Sequence, residues 1–166
     1  YTHGYDLERL RTLPSAEEQQ ALLQRYYDPH HAKLTALVDA QLAAQGRALI
    51  IDCHSFASQR LPYEDAHTAE RPEICIGTDA YHTPRWIVDA LLECFAARGY
   101  QTALNDPFAG SIVPSKHYQE NPAVMSVMLE IRRDLFTDEK TGKPNQLFKT
   151  VQADIEAAIN TLLLRV

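Results

Sequence analysis

Apolar and polar residues follow one another along the chain with periods that define its elements. Ser15-Ala16-Glu17-Glu18 is a capping-box pattern, with Glu18 three residues after the serine, and it opens a helix after an extended entry over residues 1–14. Leu22, Leu23, Tyr26 and Tyr27 continue at helical spacing. Pro29 removes a backbone donor and should kink or split the helix near Asp28. Leu34, Leu37, Val38 and Leu42 then form an apolar stripe that Gly46 ends. Ala48-Leu49-Ile50-Ile51 reads as a buried strand running into Asp52-Cys53-His54-Ser55, and a polar loop is expected over 57–72. A second short strand covers 73–77. Thr83 as N-cap with Pro84 at the first helical position predicts a helix that buries Trp86, Ile87, Leu91, Leu92 and Phe95 and stops at Gly99. Strands at 101–104 and 124–131 follow, separated by a turn-rich loop from Asn105 to Ser111. A further loop over 138–144 leads to an amphipathic helix over 148–164.

Strands alternating with helices predict an α/β fold, with a central, mainly parallel or mixed sheet flanked by helices. The length of 166 residues suits one domain. Active sites in such folds lie beyond the carboxyl ends of the strands. Asp52, His54, Asn105 and Glu130 are expected there.

Composition narrows the chemistry. A formal net charge of −6, with the 16 Lys and Arg scattered, lacks the basic stripe a nucleic-acid surface needs. No 18-residue apolar run offers a membrane span. The three cysteines, Cys53, Cys75 and Cys94, have no C-x-x-C spacing and fit a reducing cytoplasm better than a disulfide framework.

Within a strand Asp52 and His54 point the same way, so the carboxylate can orient the imidazole, either as a metal ligand or as a general base. The bland alternative is a hydrogen-bonded structural histidine. Cys53 points to the other face and reads as a core residue. Ser55 has no G-x-S-x-G elbow, so a serine-hydrolase reading is weak. Glu130 follows Val127-Met128-Leu129. A carboxylate on a buried strand is costly unless paired or used, and burial would tune it toward acid–base work. Its alternative is an ion pair with Arg132 or Arg133. Those two arginines face opposite ways, so one is expected to reach Glu130, where a guanidinium fork can bind a substrate carboxylate. Asn105 precedes Gly110, where backbone can approach a ligand; the alternative is a plain turn. His30 and His31 are adjacent in a helix and face different directions, which argues against a shared metal. His3, His67, His82 and His117 lack usable ligand spacing and are expected to be solvated or structural.

Four motifs occur in order: Arg25-Tyr26-Tyr27-x-Pro29-x-His31-x-x-Leu34, Asp52-Cys53-His54-Ser55, Asn105-x-Pro107-Phe108-x-Gly110, and Leu129-Glu130-x-x-Arg133 followed by Leu135-Phe136. Together they resemble the N-formylglutamate amidohydrolases over nearly the whole chain. The resemblance implies a zinc-carboxypeptidase-like fold and hydrolysis of N-formyl-L-glutamate to formate and L-glutamate, a last step of one histidine-degradation route. It implies a zinc ion held by two histidines and one acidic residue. His54 would be the second histidine ligand, with Asp52 behind it or nearby. Glu130 would be the general base that activates water and passes its proton to the leaving amine. Arg133, and with it Asn105, would lie near the substrate carboxylate; His31 matches a motif position without an assigned role. Zinc suits such chemistry because it lowers the pKa of its bound water to about 7.

Two departures accompany the match. The family's Pro-His-Ser-Gly motif and the acidic residue after it, which supply the other two ligands, do not occur in this chain. They are expected upstream of Tyr1, or else the chain is a shortened relative. Arg132 stands where family members often carry Asn. Three readings are therefore carried forward: a zinc amidohydrolase lacking its N-terminal segment, a non-catalytic module that binds a small acid, and a relative acting on another N-acyl amino acid or peptide cross-link.

Overall fold

The computed structural model describes residues 2–4, 7–61, 64 and 70–165. Helix α1 (Ala16–Leu22) carries the capping box: Ser15 N–H donates to Glu18 Oε2 at 2.8 Å and Glu18 N–H to Ser15 Oγ at 3.2 Å. A π-helical turn, Leu23–Tyr27, joins it to α2 (Asp28–Gln45). The expected break at Pro29 takes this form, because a widened turn accommodates the missing N–H and the proline ring while the helix runs on. Gly46, in the left-handed region at φ 73°, closes α2 and donates to the Leu42 carbonyl. The entry segment is not simply extended: His3 and Arg9 form an antiparallel bridge.

Four strands make one sheet in the order β1–β4–β2–β3: β1 (Ala48–Phe56), β2 (Ile74–Gly77), β3 (Thr102–Leu104) and β4 (Val124–Arg132). β1 is parallel to β4 and β2 to β3, but β2 and β4 are antiparallel. The sheet is therefore mixed, with the two outer pairs running in opposite directions. β1 and β4 end at one edge and β2 and β3 at the other.

Helices α3 (Arg85–Ala96) and α4 (Phe148–Leu163) cover one face. There Ile87, Leu91, Phe95, Ala158 and Leu162 pack on Ile74, Ile76, Met125, Val127 and Leu129. Alternation of side chains sends Ile74, Ile76, Val127 and Leu129 to that face. Trp86 and Leu92 are half-buried at its margin. α3 begins one residue later than expected: Pro84 is its N-cap, and the Thr83 hydroxyl instead donates to the Ser126 carbonyl at 2.6 Å, tying the helix start to β4.

Helix α2 covers the opposite face beside the start of β1, with Leu34, Val38 and Leu42 against Ala48, Ile50, Val113 and Val124. Leu37 was expected in this stripe but is 56% exposed, because it lies off the packed line of the helix. The loop 105–118 lies over the same face. Ser126 Oγ donates to the Ile112 carbonyl at 2.7 Å. At Gly77 the loop comes so close that a Cβ would sit 2.5 Å from the Gly110 carbonyl oxygen. Among the described residues no helix is long and apolar enough to cross a membrane.

Candidate active site

The site forms on the face that α2 and the 105–118 loop leave partly open. β1 runs through Asp52, Cys53, His54 and Ser55 rather than ending before them, so these side chains sit on a strand. In the β1–β4 register His54 is opposite Glu130 and Asp52 opposite Met128. On the other side of β4, Cys75 is opposite Glu130. His54, Glu130 and Cys75 thus share a face in three adjacent strands. Cys53 points away, as expected, but it is exposed rather than in the core.

His54 Nε2 lies 2.8 Å from Asp52 Oδ1. An imidazole held by a carboxylate at Nε2 presents Nδ1 as its free acceptor. The pair is open to ligand, His54 being 49% and Asp52 23% exposed in their side chains. Glu130 is 7% exposed, and its Oε2 is buried without a hydrogen-bond partner. Burial pushes its carboxyl above the ordinary carboxylate range; the positive fields of His54 and Arg133 oppose the rise, Asp52 adds to it, and Arg71 opposes it more weakly. A desolvated carboxyl raised in this way is better suited to exchanging protons than an exposed one.

The two arginines divide as expected. Arg133, in the short 3₁₀ turn Arg133–Leu135, donates from Nε to Ser55 Oγ at 3.2 Å and from Nη2 to the Ser55 carbonyl at 3.1 Å, which anchors it beside Glu130. Arg132 turns away to the Arg71 carbonyl at 2.8 Å and to Asp134 at 2.8 Å.

Asn105 is not brought to this group. It follows β3, which ends at the opposite edge from β1 and β4, and its side chain is engaged by Thr78: Oδ1 accepts from Thr78 N–H and Nδ2 donates to Thr78 Oγ1, both at 2.8 Å. With φ 56° it shapes the turn into the overlying loop. His31 lies one turn before Leu34 on α2, its ring 4.0 Å from that of Tyr27, and no hydrogen bond joins it to Asp52, His54 or Glu130. His82 and His117 are structural: His82 bridges the Val124 carbonyl and Gln119 N–H, and His117 Nε2 meets Asp39 at 2.7 Å. His3 is exposed beside Thr2, and His67 lies outside the described residues.

Two contributors were not singled out in the sequence. Arg71 stacks 4.9 Å over the Phe56 ring and pairs in two places with Glu64, at 2.6 and 3.0 Å, with both side chains nearly enclosed. Cys75 donates its thiol to the Phe108 carbonyl at 3.2 Å, directly beside Glu130. A lone arginine in a polar loop and a cysteine in an apolar run carry no spacing signal.

The zinc implied by the resemblance does not find a complete donor set. Among the described residues no three His, Cys, Asp or Glu side chains gather around one point, whereas a catalytic zinc takes three protein ligands. His54 and Asp52 are at most part of such a set.

Comparison with known proteins bears on the family and the fold. The family model for N-formylglutamate amidohydrolase matches residues 2–137. The crystal structure of N-formylglutamate amidohydrolase from Ralstonia eutropha JMP134 is similar with a TM-score of 0.74 and 26% identity, covering 95% of this chain and 56% of that one. The crystal structure of gene product Atu2144 from Agrobacterium tumefaciens shares the fold, with a TM-score of 0.65 and 19% identity, over 98% of this chain and 62% of that one. The chain thus spans less than two thirds of the length of either structure. No curated protein matches it. With most of its residues, Glu130 and Arg133 included, inside the match, the chain belongs to the N-formylglutamate amidohydrolase family.

Proposed function

We propose that this chain carries the base and carboxylate-binding half of an amide hydrolase acting on N-formyl-L-glutamate or a closely related N-acyl amino acid. The observation that carries this reading is Glu130: a buried carboxyl with an unpartnered oxygen, beside an exposed His–Asp pair and an anchored arginine. Such a group is costly to fold around and gains its use when a proton must move.

In this reading Glu130 takes the proton of the attacking water and delivers it to the leaving nitrogen. His54, fixed by Asp52, holds its imidazole toward the reacting carbonyl. Arg133 receives the substrate α-carboxylate through the part of its fork that Ser55 does not use. His54 would be one zinc ligand, and the donors gathered beside it among the described residues are too few to hold the ion alone. His31 and Asn105 remain proposed contributors to the substrate pocket, each from outside the Glu130 cluster.

The test is formate release from N-formyl-L-glutamate by the purified protein. Glu130→Gln should lower kcat by about 100-fold or more, the usual worth of a general base. Undiminished turnover in both Glu130→Gln and His54→Ala would overturn the reading. A second reading is a module that binds a small acid without cleaving it, since no three metal-binding side chains gather among the described residues. Saturable binding of N-acyl glutamates with no formate released in any metal would select that alternative.

A further inference from the structure

β1 is the outermost strand on its side of the sheet: among the described residues only β4 pairs with it. Ala48 N–H donates to the Ala123 carbonyl at 2.9 Å, on the β4 side. Peptide groups alternate sides along a strand, so Leu49, Ile51, Cys53 and Ser55 turn theirs outward. Two contacts fit this parity. The Ser55 carbonyl accepts Arg133 Nη2 at 3.1 Å, and the Ile51 carbonyl meets the Cys53 thiol at 3.9 Å, a weak contact. The outward N–H groups of Leu49 and Ile51 have no partner among the described residues.

Proteins protect long edges with charge, proline or a covering element. The other outer strand, β3, is only three residues long. β1 has nine residues, and its Ala48-Leu49-Ile50-Ile51 stretch carries neither charge nor proline. Recesses flank that same stretch. On the α2 side a cavity of about 200 Å³ is lined by Leu34, Leu37, Ala48 and Ile50, among others. Towards α4 a cavity of about 260 Å³ is lined by Gln45, Arg47, Leu49 and Leu163, among others. Both include Gln41, Ala48 and Leu49. Leu37 and Leu163, one in each lining, are 56% and 54% exposed. An open edge with a recess on either side is built to take a further strand: main-chain bonds attach it, and the recesses receive its alternate side chains.

We infer that the occupant is β1 of a second copy, paired antiparallel about Ile50 so that the two sheets become one. A second copy supplies what the edge requires. Ile50 would face Ile50 of the other copy on the α2 side, where it already packs with Val38 and Val124. Leu49 would face Ile51 on the α3–α4 side, where both already pack on the core. Leu49 and Ile51 turn their peptides outward, so each such pair exchanges two N–H···O bonds. In this register Asp52 meets Ala48 and Arg47 meets Cys53, so no like charges are opposed. The contact is self-complementary and consumes the long edge of each copy, so assembly closes at two. The inference is independent of the hydrolase reading.

The test is analytical ultracentrifugation of the 166-residue chain, joined to hydrogen exchange resolved to single amides. Wild type should dimerise with a dissociation constant of about 10 μM or tighter. The Leu49 and Ile51 amides should exchange slowly in the dimer and quickly after dilution, whereas Ile50 and Asp52, bonded to β4, should stay protected throughout. Leu37→Lys/Leu163→Lys sets like charges around the two-fold axis and should weaken dimerisation at least about tenfold. Both side chains are exposed, so circular dichroism should match wild type. Should that variant misfold, the exchange comparison on wild type decides alone. A monomer at about 100 μM, open-ended oligomers, or undiminished dimerisation of the folded lysine variant would each overturn the proposal. A dimer with fast-exchanging Leu49 and Ile51 amides would place the interface elsewhere and overturn it. A monomer with those amides protected would mean that another segment of the same chain covers the edge, and would overturn it equally.

Discussion

His54 and Glu130 occupy directly opposed positions in the parallel β1–β4 pair, so an imidazole and a buried carboxyl rise from one face of the sheet a single strand spacing apart. Neighbouring strands lie about 4.8 Å apart, which sets that separation by backbone hydrogen bonding instead of by loop conformation. The Asp52–His54 contact and the Arg133–Ser55 contacts then fix the flanking groups on the same two strands and the turn that follows them.

Glu130→Gln separates function from stability. The carboxyl is raised by burial, so its charged form is disfavoured in the folded chain. The stability it contributes is present below the unfolded carboxyl range and is lost as pH rises through its folded value. Replacing it with a neutral amide should leave stability at pH 7 equal or higher while activity collapses. The advantage of the variant should disappear as pH falls below the unfolded range. Urea melts at several pH values would show this, and a variant markedly less stable at pH 7 would contradict the assignment of an uncompensated buried charge.

Glu64 and Arg71 give a contrasting case. Their side chains are 4% and 9% exposed and paired through two hydrogen bonds. Removing one partner leaves the other charge enclosed, so Glu64→Ala should cost about 3–5 kcal/mol. The joint replacement Glu64→Leu/Arg71→Met should cost much less than the sum of its two single changes. A double-mutant cycle by denaturant unfolding measures the difference; additive effects would mean that the pair is not coupled.

Local structure was legible in the sequence, but pairing direction was not. The capping box at Ser15, the stop at Gly46 and all four strands lie within a few residues of their expected bounds, because side-chain period and terminal residues act over short range. The antiparallel junction of β2 with β4 depends on which distant backbones meet, and it moves Asn105 to the far edge, away from Glu130. Asp52 and His54 were correctly placed on one face, since alternation along a strand does not depend on its neighbours. Glu64 and Arg71 stand in a loop with no periodicity, so only tertiary structure pairs them.

Gly77 tests the close approach of the overlying loop. A Cβ there would meet both the Met128 side chain and the Gly110 carbonyl oxygen, the latter at 2.5 Å. Met128 can move, but a backbone carbonyl in the loop yields less easily. Gly77→Ala should therefore cost about 1–3 kcal/mol, as overpacking does, and disturb the Cys75 thiol contact with Phe108 beside Glu130. Thermal unfolding with thiol accessibility to an alkylating reagent would report both effects; wild-type stability and unchanged Cys75 protection would show that the loop shifts freely.

Metal content addresses the donor set without relying on activity. His54 is already paired with Asp52, and no third metal-binding side chain joins them among the described residues. A site with fewer than three protein ligands should hold zinc weakly. Elemental analysis after dialysis should therefore find well under one zinc per 166-residue chain, with little further change in His54→Ala. About one equivalent retained by wild type and lost in His54→Ala would show that the ligand set is completed by groups outside the described cluster. In that event the Asp52–His54 pair would be expected to open, freeing Nε2, and the zinc amidohydrolase reading would take precedence over the non-catalytic one.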